Sequence, residues 1–177
     1  MLEQLTEQAK QAVKAAEDEA AALGHDHLGT EHLLLGLAGT EGLASDLLRE
    51  HGVEARRVRE EIVRLRNGKE DAATRDQAAK DVLSSIGIDV AEIQRRADDN
   101  FGPGAFRFAR PAFTRRTEIV FERTVRETQA LGHQHIDTGH LLAGLLAEHE
   151  GAAIGILAHL GVQTVTLYRA VRARVAQ

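Results

Sequence analysis

Histidines 25, 27 and 32 return as His133, His135 and His140, at the same spacing 108 residues later. Imidazole is the commonest metal-ligating side chain and the one that titrates nearest neutral pH. A His-x-His pair with a third imidazole five residues on therefore invites a zinc-site reading. The pattern argues against it: no carboxylate is fixed at constant spacing, the chain has no cysteine, and each set lies inside a longer repeated segment. The expectation is structural, with His25 and His32 hydrogen-bonding inside a turn and no metal bound. Threonines 6, 30 and 114 are of a second useful type, because a hydroxyl at a helix start accepts from an otherwise orphan backbone N–H. Glu31, beside Thr30, suits the positive end of a helix dipole on its own account.

The elements that position these residues come in two copies. ALGHDHLGTEHLLLGL, residues 22–37, returns as ALGHQHIDTGHLLAGL at 130–145, with 11 of 16 positions identical. Leu5-Thr6 aligns with Phe113-Thr114 upstream, and Gly52-Val53 aligns with Gly161-Val162 after a one-residue slip near Glu150. The chain is a tandem duplication, which fixes its architecture before any single residue is interpreted.

The first copy reads as four helices. Leu5, Ala9, Ala12, Val13, Ala16, Ala20 and Leu23 follow three- and four-residue steps on a helix that starts after the cap Thr6 and stops at Gly24. A second, short and apolar, is predicted to start at a capping Thr30 and end at Gly39. A third spans 42–51 and a fourth 54–65. Short loops between them give an all-α fold of two four-helix repeats, 1–68 and 113–177, packed as one domain. Between them, 69–112 is expected to hold an inserted helical hairpin. Residues 78–93 align without a gap on the third and fourth helices at 43–58, and their apolar face is Val82, Leu83, Ile86, Ile88, Val90 and Ile93. A Gly/Pro connector at 100–106 follows.

Composition narrows the function. Of 177 residues 43% are apolar and only 3% aromatic, which suits an aliphatic helical core. The net charge of −5 gives no support to nucleic-acid binding. It divides into −5, −1 and +1 over the three segments, so no strongly basic domain is hidden in the average. Arg56, Arg57, Arg59, Arg64 and Arg66 are interleaved with Glu54, Glu60 and Glu61, the pattern of an ion-paired helix face. No apolar window approaches a membrane span and the N-terminus has no apolar signal core, so the expectation is a cytoplasmic protein without membrane contact. Tyr168 and Phe121, lone aromatics at helical spacing, are expected to pack. No Gly-x-Ser-x-Gly elbow, cysteine nucleophile or paired-carboxylate constellation is present, so no catalytic residue is assigned and a binding role is expected.

The Thr-capped first helix, the LGHDHLGTEHLLLGL segment and the later Leu-x-x-x-Gly-Val together resemble the N-terminal repeat domain of the Clp ATPases, most closely the ClpC type. Two departures stand out. Residues 69–112 separate repeats that are nearly contiguous in that family, and no Gly-x-x-x-x-Gly-Lys-Ser/Thr phosphate loop occurs in the chain. The expectation is a stand-alone, non-enzymatic Clp N-domain-like protein without cofactors. The resemblance implies recognition of protein clients or adaptors, phosphoarginine among the marks read, and action as an adaptor to or decoy of the ClpC unfoldase-protease. By the same resemblance Glu31 pairs with the guanidinium, while Leu5 and Thr6 hold the phosphate with Lys10 as a nearby cation. A helix N-terminus suits a phosphate and a carboxylate suits a guanidinium, so the physics agrees. In the second repeat Phe113, Thr114 and Arg115, followed by Arg116, retain the anion-friendly start. Gly139 replaces Glu31, Glu118 replaces Lys10, and Asp137 is the one acid near enough to substitute, so a degenerate second site is expected. An alternative implied by the resemblance is capture of cyclic peptide antibiotics or other hydrophobic ligands in an inter-repeat groove near Leu2, Leu5, Phe113 and Phe121. A third is a structural interaction module with vestigial pockets.

Overall fold

A computed structural model describes residues 2–67 and 111–177. The hairpin expected at 78–93 and the connector at 100–106 lie outside the described residues. The chain divides into two units, Met1–Ile62 with Pro111–Gln177, which carries both repeats, and Val63–Arg110.

Eight α-helices are described. The first repeat has α1 (Glu7–Ala22), α2 (Thr30–Gly39), α3 (Leu43–Glu50) and α4 (Ala55–Asn67), and the second has α5 (Arg115–Ala130), α6 (Thr138–Glu148), α7 (Ala152–His159) and α8 (Thr164–Val175). Two two-residue strands, β1 (His27–Leu28) and β2 (Ala112–Phe113), complete the described elements, with a short 3-10 turn at Leu2–Gln4. The predicted face of α1 is buried through Ala9, Ala12, Val13, Ala16 and Ala20. It packs on α2, as α5 packs on α6. The small side chains on α1 let the backbones approach closely: at Gly36 a Cβ would lie within 3.0 Å of the Ala16 N and Cβ and closer still to the Ala12 carbonyl. Gly144 meets Thr124 and Val120 in the same way in the second repeat. Leucines 33, 34, 37, 141, 142, 145 and 146 on α2 and α6 form the centre of the core, all fully buried.

The repeats are joined by reciprocal, crossed contacts. β1 of the first repeat pairs in parallel with β2, which leads into the second, placing Leu28 opposite Phe113. Leu5, which leads into α1, bridges Ile136 of the second repeat. Thr6 N donates to Ile136 O at 2.9 Å, and Thr114 N to Leu28 O at 3.0 Å.

Thr6 caps α1 as expected, its hydroxyl accepting from Ala9 N at 3.3 Å. Thr30 does not cap α2. The cap residue there is Gly29, and the Thr30 hydroxyl instead accepts from Ala153 N, at the start of α7 in the other repeat, at 3.2 Å. Thr138 does the same for α3, accepting from Ala44 N at 3.2 Å. The reason is visible at the receiving ends. Helices α3 and α7 begin after Gly42 and Gly151, which have no side chain to satisfy the orphan N–H groups. A Cβ at either glycine would also collide with the incoming threonine. Thr138→Val, which keeps the shape and deletes the acceptor, is expected to cost about 1–2 kcal/mol of unfolding free energy, the worth of a cap whose donor is left buried. Urea denaturation measures it; an unchanged midpoint would show that the cap contributes nothing.

The basic face of α4 is ion-paired in part: Arg59 reaches Glu19 on α1 at 3.2 Å, and Arg57 donates to Gly52 O at 3.0 Å. Phe121 is buried and Phe113 leans on it with ring centroids 5.2 Å apart. Tyr168 donates to Glu127 at 3.1 Å, under the Arg172 guanidinium.

Candidate functional site

The histidine sets are hydrogen-bonded turns. His25 Nδ1 lies 2.6 Å from His32 Nε2, and His133 Nδ1 lies 2.9 Å from His140 Nε2. Gly29 N donates to His32 Nδ1 at 3.0 Å. That bond fixes the tautomer: His32 carries its proton on Nε2 and donates it to His25. The His32 ring is fully buried. Burial, and secondarily the charges of His25 and His27, lower its pKa from 6.5 to about 4. In the second repeat Asp137 stands where the first has Gly29. Its carboxylate accepts from His140 N at 3.0 Å and lies 2.8 Å from His140 Nδ1, and although its own burial opposes this, those hydrogen bonds hold its pKa below the ordinary carboxylate value. Among the described residues no three His, Asp or Glu side chains converge in a metal-binding arrangement.

The expected ligand residues are redistributed by the crossed contacts. Leu5 and Thr6 were expected beside Glu31 of their own repeat; their backbone pairs with Ile136, the residue before Asp137, in the other repeat. Phe113 and Thr114 are correspondingly seated on Leu28, three residues before Glu31. Thr117, one turn into α5, also donates its hydroxyl to Leu28 O, at 2.9 Å. Each helix start is thus seated on the segment that precedes the acid position of the opposite repeat. The side that keeps its acid combines Glu31 with Thr114, Arg115 and Arg116. The other combines Leu5, Thr6 and Lys10 with Gly139 and Asp137.

On the first side, Thr114 caps α5 through Thr117 N at 3.2 Å. As N1 and N2 of the helix, Arg115 and Arg116 have backbone N–H groups without an intrahelical carbonyl. Glu31 folds back over Gly29, which leaves room for its carboxylate only because it has no Cβ. Its side chain is 17% exposed and lies 3.7 Å from His32 Nδ1. Phe113 is 37% exposed, a partly open apolar wall next to Thr114. On the other side, Lys10 is paired with Glu7 at 2.7 Å and Asp137 is spent capping α6. Asp137 Oδ1 is engaged by both His140 N and His140 Nδ1, which draws the carboxylate to the start of its own helix. Arg115 pairs with Glu118 at 3.1 Å. Leu5 and Phe121 are buried and line no open groove; of the groove residues named from the sequence whose side chains are described, Phe113 alone is exposed.

Sequence reasoning named Arg116 only as part of the anion-friendly helix start and did not anticipate Glu148 and Glu150, which hold it at 2.6 and 3.3 Å. The signal available was the pair of acids flanking His149 immediately before Gly151.

The model of the Clp repeat (R) N-terminal domain matches residues 4–77, 71–160 and 112–177, which together take in nearly the whole chain. The chain belongs to the Clp repeat N-terminal domain family. Its Clp repeats are 32% identical, over 92% of this chain, to a probable ATP-dependent Clp protease ATP-binding subunit of Chlamydia pneumoniae. They are 30% identical, again over 92%, to the negative regulator of genetic competence ClpC/MecB of Bacillus subtilis. The chain spans 15% and 16% of the length of these two relatives. The N-terminal domain of the caseinolytic protease associated chaperone ClpD from Arabidopsis thaliana shares the fold, with a TM-score of 0.65 at 24% identity and 99% of both chains covered. No single described helix is long and apolar enough to cross a membrane.

Proposed function

We propose that these Clp repeats form a protein-binding module that reads phosphoarginine on client or adaptor proteins through one composite site, made by Glu31 of the first repeat and Thr114, Arg115 and Phe113 of the second. The observation that carries the reading is the crossed register, Leu28 opposite Phe113 with Thr114 N on Leu28 O. It supports the reading because the helix start that has arginines in its first turn is seated three residues before the one retained acid. A carboxylate accepts two parallel N–H bonds from a guanidinium, and a helix N-terminus offers free N–H groups and positive potential to a phosphate. The mirror position has lost its acid to Gly139, so a single site per chain is expected. The module binds and does not catalyse. It serves a ClpC-type unfoldase-protease as an adaptor, or as a decoy that competes for its ligands, in a cytoplasmic setting.

Calorimetric titration with free phosphoarginine tests the reading. One site is expected in the wild type, weakened at least about tenfold in Glu31→Gln, the worth of a charge-assisted hydrogen-bond pair. Absence of binding by the folded wild type would overturn it. A second reading rests on the exposed Phe113 ring beside buried Phe121: capture of hydrophobic ligands, cyclic peptides included, which Phe113→Ala would weaken and Glu31→Gln would leave unchanged.

A further inference from the structure

This inference rests on the composite site just proposed and concerns what occupies its anion seat before a ligand arrives. Arg116 is the second residue of α5. Its Nη1 donates to Glu148 Oε1 at 2.6 Å, and both Nη1 and Nη2 reach Glu150 Oε2 at 3.3 Å. The two carboxylates are not equivalent. The Glu148 side chain is 4% exposed and its second oxygen accepts from Glu150 N, whereas the Glu150 side chain is 75% exposed. Glu148 is thus a fixed partner that orients the guanidinium, and Glu150 covers the fork from the solvent side through one oxygen.

This pair comes close to Thr30, the residue that precedes Glu31 in sequence. Glu148 Oε2 and the Thr30 hydroxyl both crowd the Cβ position of Gly151, so the acid that holds Arg116 and the residue preceding Glu31 meet at one point. The duplication supplies an independent control. In the first repeat, the position of Arg116 is Gln8 and that of Glu148 is Thr40. By the crossed register Gln8 belongs to the side that has Gly139 in place of Glu31. The guanidinium-accepting acid and the held arginine are therefore kept together on one side and lost together on the other.

We infer that Arg116 is the cation that fixes the anionic group of the ligand, and that the Glu150 carboxylate is an internal stand-in which an incoming phosphate displaces. An exposed ion pair is weak and solvent-screened, so displacement costs little. A phosphate presents two oxygens to both arms of the fork and carries more charge than the carboxylate it replaces. Unphosphorylated arginine has nothing to put in this seat, and Glu150 then stays. The device selects a phosphorylated guanidinium over a plain one.

The test is titration of free phosphoarginine, and separately of inorganic phosphate, into the wild type and the variants Glu150→Gln, Arg116→Gln and Arg116→Lys. Glu150→Gln, at an exposed position, is expected to tighten phosphoarginine about fivefold, the size of a removed surface ion pair. Arg116→Gln is expected to weaken it at least about tenfold, as loss of a charge-assisted bond should. Arg116→Lys, which keeps a charge on Glu148 if the glutamine variant fails to fold, should fall between, with the fork lost. Unchanged or weaker binding in Glu150→Gln, or Arg116 variants within twofold of the wild type, overturns this inference while sensitivity to Glu31→Gln leaves the site reading intact. A folded wild type that binds no phosphoarginine overturns both.

Discussion

Gly36→Ala is expected to lower the unfolding free energy by about 2–3 kcal/mol, while Gly155→Ala, the same change in another helix, raises it by up to about 1 kcal/mol. Alanine is the better helix former, so propensity favours both substitutions. At Gly155, in α7, a new methyl meets nothing within 4 Å and the propensity gain is realised. At Gly36 the methyl points into the backbone of α1, against Ala12 O and the Ala16 N and Cβ. Backbone cannot swing aside as the end of a side chain can, so the two helices must separate and the leucine core on either side loses contact. Gly144→Ala, facing Thr124 N and Val120 O from α6, should behave as Gly36→Ala does. Chemical denaturation of the three variants decides the matter. A Gly36→Ala protein as stable as the wild type would show that the helices tolerate a wider spacing.

Acid is the second lever. His32 has its pKa lowered from 6.5 to about 4, first by burial and then by the neighbouring His25 and His27. Glu31, 3.7 Å from Nδ1, favours the imidazolium, but the Nδ1 lone pair is already taken by Gly29 N–H and the ring is wholly enclosed. Between these two pKa values the unfolded chain binds a proton that the folded one excludes. The contribution of His32 to stability is therefore complete above pH 6.5 and is lost progressively as pH falls towards 4. A shift of that size corresponds to about 3 kcal/mol. His32→Asn, whose amide oxygen can accept from Gly29 N, should have a flatter stability profile between pH 7 and pH 4.5 whatever its stability at neutral pH. Parallel profiles for the two proteins would rule out His32 as the source of the acid sensitivity.

The helices and their starts at Thr6 and Thr114 were legible in the sequence because each rests on neighbours three or four residues away: hydroxyl to N–H, apolar residue to apolar residue. Thr30 misled for the opposite reason. Its partner is 123 residues distant, and local rules assign a threonine at a helix start to its own helix. The evidence for the longer reach was present in Gly42 and Gly151, two helix starts lacking any side chain to cap them. The candidate site was half legible by the same logic. Residue types at Glu31, Thr114 and Arg115 were identified individually. The grouping proposed for them was not, because it rests on strand register between the repeats, and two-residue strands leave no periodic trace. Asp137 read as a spare acid near the ligand position. Only the geometry shows its Oδ1 engaged by His140 as the cap of α6.

The reciprocal threonine caps have a consequence for how the chain is made. Synthesised from its N-terminus, the first repeat leaves the ribosome with Thr30 and Leu28 facing partners not yet translated. At roughly 5–20 residues per second, the stretch separating Thr30 from Ala153 takes on the order of ten seconds to emerge. Through that interval α2 exposes a row of leucines and α3 begins with an unsatisfied N–H. The nascent first half is accordingly expected to engage holding chaperones, and ribosome-bound chains truncated before Gly151 should be cut by protease where the released full-length chain is not.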